Sequence, residues 1–201
     1  MMSMGASGSL ANAMVFSQWK GRPYVRALVK PANPRSGGQV GIRAMMKWLS
    51  QQWNGLADVD KATWEDRAAQ KTISPFNAYI GLGVSRWRDF LAPSLADPPD
   101  VLETPPTLGT LAGVPGVRSI TITQPITTAA DGWGVAIFRG LADSFTTLFD
   151  NLIGVGTIVA TADVVYVDSP LAAGTYYYNV RSITGDGQLS AQGTDIEVVV
   201  A

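Results

Sequence analysis

Hydrophobic and polar positions change period twice along the 201-residue chain. Two short runs come first, Met14 to Trp19 and Arg22 to Lys30, rich in Val, Phe, Trp, Tyr and Leu and separated by Lys20-Gly21. A glycine-bearing two-residue break between such runs predicts a hairpin, and Pro23, with no N–H to donate, belongs on an edge. Pro31 to Gly38 holds two prolines, two glycines, Asn33 and Ser36, and reads as an extended connector. The period then becomes three and four. Ile42, Met45, Met46, Leu49, Trp53 and Leu56 form one stripe and predict a helix over 39–56. A second helix is predicted over 60–71, with Trp64 and Ala68 inward. The third starts at Ser74, whose hydroxyl can cap it, with Pro75 at the first helical position and Phe76, Ile80, Val84, Trp87 and Leu91 as its stripe.

Residues 92–107 carry five prolines and no periodicity, which reads as a linker. Beyond it the period becomes two. Strand-like runs occur at Arg118 to Thr123, Gly134 to Arg139, Thr157 to Ala160, Val164 to Val167, Thr175 to Ile183 and Asp195 to Val200, punctuated by Gly, Pro, Asp and Ser. Such spacing without a helical stripe predicts an antiparallel β-sandwich of about 100 residues, with Trp133, Tyr176, Tyr178 and Val180 in its core. The expected fold class is α+β and multidomain: an arm and hairpin over 1–35, a three-helix module over 36–92, a proline-rich linker over 93–107 and a sandwich over 108–201. Residues 1–13, small and polar, are expected to be a flexible arm.

Charge sharpens this division. Residues 1–92 carry 12 Lys and Arg against 5 Asp and Glu, and residues 93–201 carry 3 against 11. The first 47 residues hold seven bases and no acid. A solvated stripe, docking onto an acidic protein surface and nucleic-acid binding are the three readings; the scarcity of Lys and Arg elsewhere makes nucleic acid the weakest. Five of the six tryptophans (Trp19, Trp48, Trp53, Trp64, Trp87) fall in the first half, as core of the helical module or as anchors in a neighbour. Gly81 and Gly83, inside the third helix, read as close helix packing.

The chain has no histidine and no cysteine, so imidazole and thiol chemistry are excluded. No nucleophile elbow, phosphate-binding glycine loop or dinucleotide fingerprint occurs. Asp131, Asp143, Asp150, Asp163 and Asp168 could be paired on paper as glycosidase carboxylates, but they read as solvated turn acids. No calcium-loop spacing is present. The expectation is a protein that is not an enzyme and needs no metal or cofactor. The first residues lack the basic and apolar regions of a secretory signal, and no apolar run is long enough to span a bilayer, so a soluble, cytoplasmically made protein is expected.

Two stretches resemble known families. Residues 169–190, with Leu171, Gly174-Thr-Tyr176, Tyr178-Asn-Val-Arg181 and Gly185-Asp-Gly187, resemble the later strands of a fibronectin type III domain, an immunoglobulin-like β-sandwich. That resemblance implies that Tyr176 is the corner tyrosine bonding back to the chain and that Tyr178 and Val180 point inward. It departs from the family in having Ala173 where a proline often precedes the glycine. The second stretch runs Phe16-Ser-Gln-Trp-Lys-Gly-Arg-Pro-Tyr-Val-Arg26, then Pro31-Ala-Asn-Pro-Arg-Ser36 and Gln39, followed by Trp53 and Trp64. It resembles small structural proteins of tailed bacteriophages and prophages.

These resemblances imply a virion structural protein assembled in the host cytoplasm. The expected role is a capsid decoration or cement protein that docks on the head through its N-terminal module and projects the sandwich. A tail, neck or baseplate component is the alternative, and a carbohydrate-binding or adhesive module outside a virion is a third. The expected partners are other virion proteins and further copies of the chain, with weak host-surface glycan binding by the sandwich; no membrane is expected. The expected partner-binding residues are Trp19, Lys20, Arg22, Tyr24, Arg26 and Arg35.

Overall fold

A computed structural model of the chain describes residues 8–10, 14–29, 35–99, 103–128 and 132–201. The chain divides into two compact units, Met1–Pro34 and Arg35–Ala201. The first is an antiparallel sheet of three strands in the order β1 (Gly8–Leu10), β2 (Met14–Trp19) and β3 (Arg22–Ala27). Lys20 and Gly21 both take positive φ, 49° and 75°, the handedness that matches strand twist in a two-residue hairpin. Pro23 lies on β3, an edge strand, where its missing N–H costs no ladder bond. The expected flexible arm is in part a strand, since Gly8 and Leu10 pair with Phe16 and Met14. The rest of that arm, 1–7 and 11–13, lies outside the described residues, as does Lys30.

The second unit begins with three helices: α1 (Gly37–Gly55), α2 (Asp58–Lys71) and α3 (Pro75–Arg88). Ser74 caps α3 by accepting from the Asn77 N–H at 3.2 Å. α1 starts two residues before the predicted helix because Gly37 and Gly38 are not merely connector. A Cβ at Gly41 would lie 2.9 Å from the Phe149 carbonyl oxygen, and one at Gly38 would lie 2.8 Å from Asp150 Oδ1, so these glycines let the helix touch the loop before β7 (Leu152–Thr157). The inward faces also differ from the predicted stripes. Trp48 and Tyr79 are buried, while Met46, Phe76 and Leu91 are exposed. Leu91 falls beyond the end of α3, after Phe90 turns into left-handed backbone at φ 57°. Gly83 does permit close packing, with Leu49 Cδ1 2.7 Å from the position of its missing Cβ, whereas Gly81 faces open space.

The remaining strands form two antiparallel sheets. One has the order β10 (Ile196–Val200), β9 (Gly174–Thr184), β6 (Gly132–Gly140), β7; the other has β4 (Ala112–Gly116), β5 (Ser119–Gln124), β8 (Val164–Asp168). Strict alternation in β5 turns Ile120 and Ile122 inward, where they meet Val135, Ile137, Tyr178 and Val198 of the facing sheet. The result is a β-sandwich. A strand predicted at Thr157 to Ala160 lies instead at Leu152–Thr157. Gly154 and Gly156 obscured it: a Cβ on either would collide with Tyr166 or Val164, so the glycines make room for the strand across the core. β4, with two glycines and Pro115, carries no alternation to read.

Helices and sandwich are one unit, which corrects the expected division at a linker. A single core joins Met45, Trp48, Leu49, Trp64, Tyr79 and Trp87 of the helices to Trp133, Ala136 and Phe138 of β6, Leu152 of β7 and Ile183 of β9. The helices therefore cover the outer face of the four-stranded sheet over β6 and β7. Much of the predicted linker is buried: Ala92, Ser94 and Ala96 are in the interior. Its carbonyls, not engaged in any ladder, accept from side chains on both sides. Trp64 Nε1 donates to Leu95 O at 2.8 Å and Arg86 Nε to Ala92 O at 2.7 Å, while Leu95 N–H donates to Gly185 O at 2.7 Å. Arg67 forms a two-armed ion pair with Asp97. Proline content signalled the absence of regular structure here, not the absence of packing.

Candidate partner-binding surface

In the first unit none of the described side chains is buried. Pairing register sorts them onto two faces. Val15 faces Arg26, Ser17 faces Tyr24 and Trp19 faces Arg22, so one side of the sheet carries two aromatics and two arginines. Trp19 is 67% exposed, and Lys20 at the turn places its Nζ 4.8 Å from the centre of the Trp19 ring. Trp19, Arg22 and Tyr24 line a shallow apolar recess. The opposite side carries Met14 with Ala27, Phe16 with Val25, and Gln18 with Pro23. Residues 1–34 contain four bases and no acid, so within this unit the bases have no carboxylate to pair with.

Five of the six predicted site residues, Trp19, Lys20, Arg22, Tyr24 and Arg26, thus share one hairpin, and four lie on one face with Lys20 at its tip. Arg35 is not among them: it belongs to the second unit, exposed and in left-handed backbone just before α1. Of the six tryptophans, Trp48, Trp64, Trp87 and Trp133 are buried in the core, Trp53 is half-buried and Trp19 is exposed. Sequence spacing alone did not separate the apolar face from the basic one, although the alternation of Met14, Phe16 and Gln18 against Val15, Ser17 and Trp19 holds that information once the hairpin register is known.

The carboxylates have distinct environments. Asp143, Asp150 and Asp163 are exposed, and Asp131 lies outside the described residues. Asp168 is not a turn acid: it ends β8, is buried, and accepts at 2.8 Å from Arg139 Nη1 of β6 and at 2.9 Å from the Tyr178 hydroxyl of β9. This triad ties one sheet to the other. Burial first, then the Asp168 charge and hydrogen bond, push the Tyr178 phenol far above its ordinary range. Tyr176 donates its hydroxyl to Ala172 O at 3.0 Å, four residues upstream, closing the corner before β9. Among the described residues, no group of three or more Asp or Glu is placed to hold a metal ion, and no described helix is long and apolar enough to cross a membrane.

No protein-family model matches the chain, and no curated protein matches it. Among solved structures it is similar to the PKD domain of an M14-like peptidase from a Thermoplasmatales archaeon, at 18% identity and a TM-score of 0.34, over 49% of this chain and 98% of that one.

Proposed function

We propose that the chain is a non-enzymatic structural protein of a tailed-phage particle, attached through its N-terminal sheet and projecting a fibronectin type III-like sandwich. The observation that carries this reading is the sheet of the first unit: small, without a buried side chain among those described, and bearing Trp19, Tyr24, Arg22 and Arg26 on one face. A sheet of this kind is marginal alone in water and gains its stability on a partner. Aromatics beside arginines are the residue types that dominate protein interfaces, and unpaired guanidinium groups favour a carboxylate-bearing partner. The strand order β4-β5-β8 against β10-β9-β6-β7, and the Tyr176 bond to Ala172, support the fibronectin type III reading within the broader class of antiparallel sandwiches. Within the particle we place the protein on the head as a decoration or cement subunit.

The test is its place and copy number. Purified particles separated on a denaturing gel should contain the chain at a copy number near that of the major head subunit. Low copy number would move it to neck, tail or baseplate, and absence would end the virion reading. Removing residues 1–34 should abolish incorporation while leaving 35–201 folded.

A further inference from the structure

We propose that the second unit binds a primary alkylammonium group through Gln124 and Asp195, in a cavity where the chain enters β4 and β10. The residues of this site all belong to Arg35–Ala201, and none is part of the hairpin surface.

The cavity measures about 370 Å³, a size common among small-molecule sites. The segment 108–111 leading into β4 forms one side and the segment 193–196 leading into β10 the other, with Val180 of β9 and Gln124 at the end of β5 between them. Leu108, Leu111, Val180 and Ile196 make the walls largely aliphatic, and Asp195 is the one charged residue among those lining it.

Two of the lining residues carry a buried oxygen that no donor meets among the described residues: Gln124 Oε1 and Asp195 Oδ2. Turning the Gln124 amide over does not relieve it. Gln124 is 1% exposed, and its Nε2 donates to Gly109 O at 2.9 Å and to Pro125 O at 2.8 Å. Exchanging its amide atoms would set Oε1 against two carbonyl oxygens, which have no hydrogen to give. Asp195 is held by one oxygen only. Its Oδ1 accepts from Asn179 Nδ2, which also donates to Gly193 O at 2.8 Å. Oδ2 is left over, and among the described residues no Lys or Arg pairs with Asp195. A buried acceptor without a donor is costly, and a charged one more so. This pair of oxygens therefore favours a ligand that brings N–H groups and positive charge.

The walls and the number of acceptors choose among cations. A calcium ion takes about six to eight oxygen ligands, whereas aliphatic side chains make up much of this lining. A guanidinium carries five N–H donors and would leave most of them unmet, while an ammonium carries three. An unbranched alkyl body behind that ammonium would lie against the four aliphatic side chains. Residues 108–201 hold three arginines against eight acids, a field that draws cations toward the sandwich.

The test is a titration of the full, nitrogen-15-labelled chain with n-pentylammonium chloride, followed by two-dimensional NMR. Saturable shifts are expected at the Gln124 side-chain amide and at the backbone amides of Leu111 and Asp195, with a dissociation constant of about 1 mM, as suits a ligand of so few atoms. n-Pentanol, with the same body and no charge, should bind at least about tenfold more weakly, a comparison that needs no variant. Asp195→Asn keeps the oxygen that holds Asn179 and should weaken pentylammonium binding by a similar factor. Equal binding of alcohol and ammonium overturns the proposal, since the cavity would then be apolar only. So does the absence of saturable shifts at about twenty times the expected dissociation constant, or saturable shifts that map elsewhere. Unchanged binding by an Asp195→Asn chain with a native spectrum overturns it too. Nα-acetyl-lysine amide carries the same ammonium on a peptide backbone. Binding tighter than that of pentylammonium assigns the site to a lysine side chain of a partner, and weaker binding assigns it to a free amine. None of these outcomes depends on particle incorporation, so a failure here is separable from a failure of the virion reading.

Discussion

The indole of Trp48 on α1 lies 4.4 Å, centre to centre, from that of Trp133 at the start of β6. Around this pair the two halves of the second unit are hydrogen-bonded to each other. Trp48 Nε1 donates to Thr157 Oγ1 at 3.1 Å, Gln52 Nε2 donates to the same hydroxyl at 2.7 Å, and Trp133 Nε1 donates to Gln52 Oε1 at 3.2 Å. Gly134 completes the fit, because a Cβ there would lie 2.6 Å from Trp48 Cζ2. Sandwich and helices should therefore unfold together. Trp48→Ala should cost about 3–5 kcal/mol, as large-to-small changes of buried aromatics do, with far-UV circular dichroism and tryptophan fluorescence reporting one coincident transition. Two separated transitions would contradict the shared core.

The same relationship predicts the behaviour of fragments. Residues 35–201 should melt cooperatively, whereas residues 108–201 alone should not, because they would expose Trp133, Ala136, Phe138, Leu152 and Ile183 that the helices cover. Calorimetry of the two fragments checks this, and a sharp transition from 108–201 would restore the independent sandwich expected from sequence.

Alkaline pH should destabilise the protein through its buried phenols. Tyr178, Tyr79 and Tyr166 are all raised above the ordinary tyrosine value, burial being the first cause in each. In the unfolded chain these groups lose their protons near pH 10, while the native state retains them, so the native state binds more protons and stability falls as pH rises past about 10. Below that pH the contribution is complete. Tyr178→Phe should make the alkaline decline shallower, and should cost about 1–3 kcal/mol at neutral pH because buried Asp168 loses a donor. Denaturant titrations across the alkaline range, with tyrosinate absorbance followed in parallel, measure both effects.

Tyr176→Phe tests the corner before β9. It removes one hydroxyl donor to Ala172 O and leaves the ring in place, so a loss of about 1 kcal/mol in denaturant unfolding is expected, with no change in the slope.

Attachment should depend on the exposed indole. Trp19→Ala should weaken binding to particles by about 2 kcal/mol or more if residues 8–29 carry the contact, while the melting of 35–201 stays the same. Equal occupancy of wild type and variant in a competition assay would move attachment to the second unit.

Local chemistry settled much of this protein from the sequence alone. Lys20-Gly21 defined the hairpin, Ser74-Pro75 the start of α3, and the spacing of Trp64 and Ala68 the inner face of α2, because each is a short-range backbone or one-turn relationship. The inward direction of Tyr178 and Val180 followed from a period of two, and the corner bond of Tyr176 from a family resemblance. Tertiary structure decided what each buried face meets. Periodicity reports that a side is apolar without naming the surface that covers it, so the helices read as a separate module when they are a layer over β6 and β7. Gly38 read as connector, and nothing in the local pattern gave Gly41, Gly154 or Gly156 a role, yet all four mark places where separate elements approach too closely for a Cβ. Asp168 read as a turn acid until Arg139 and Tyr178, on strands of the other sheet, were brought to it. Long-range pairing of this kind depends on which chain segments become neighbours in space, and one strand's own residues carry no record of that choice.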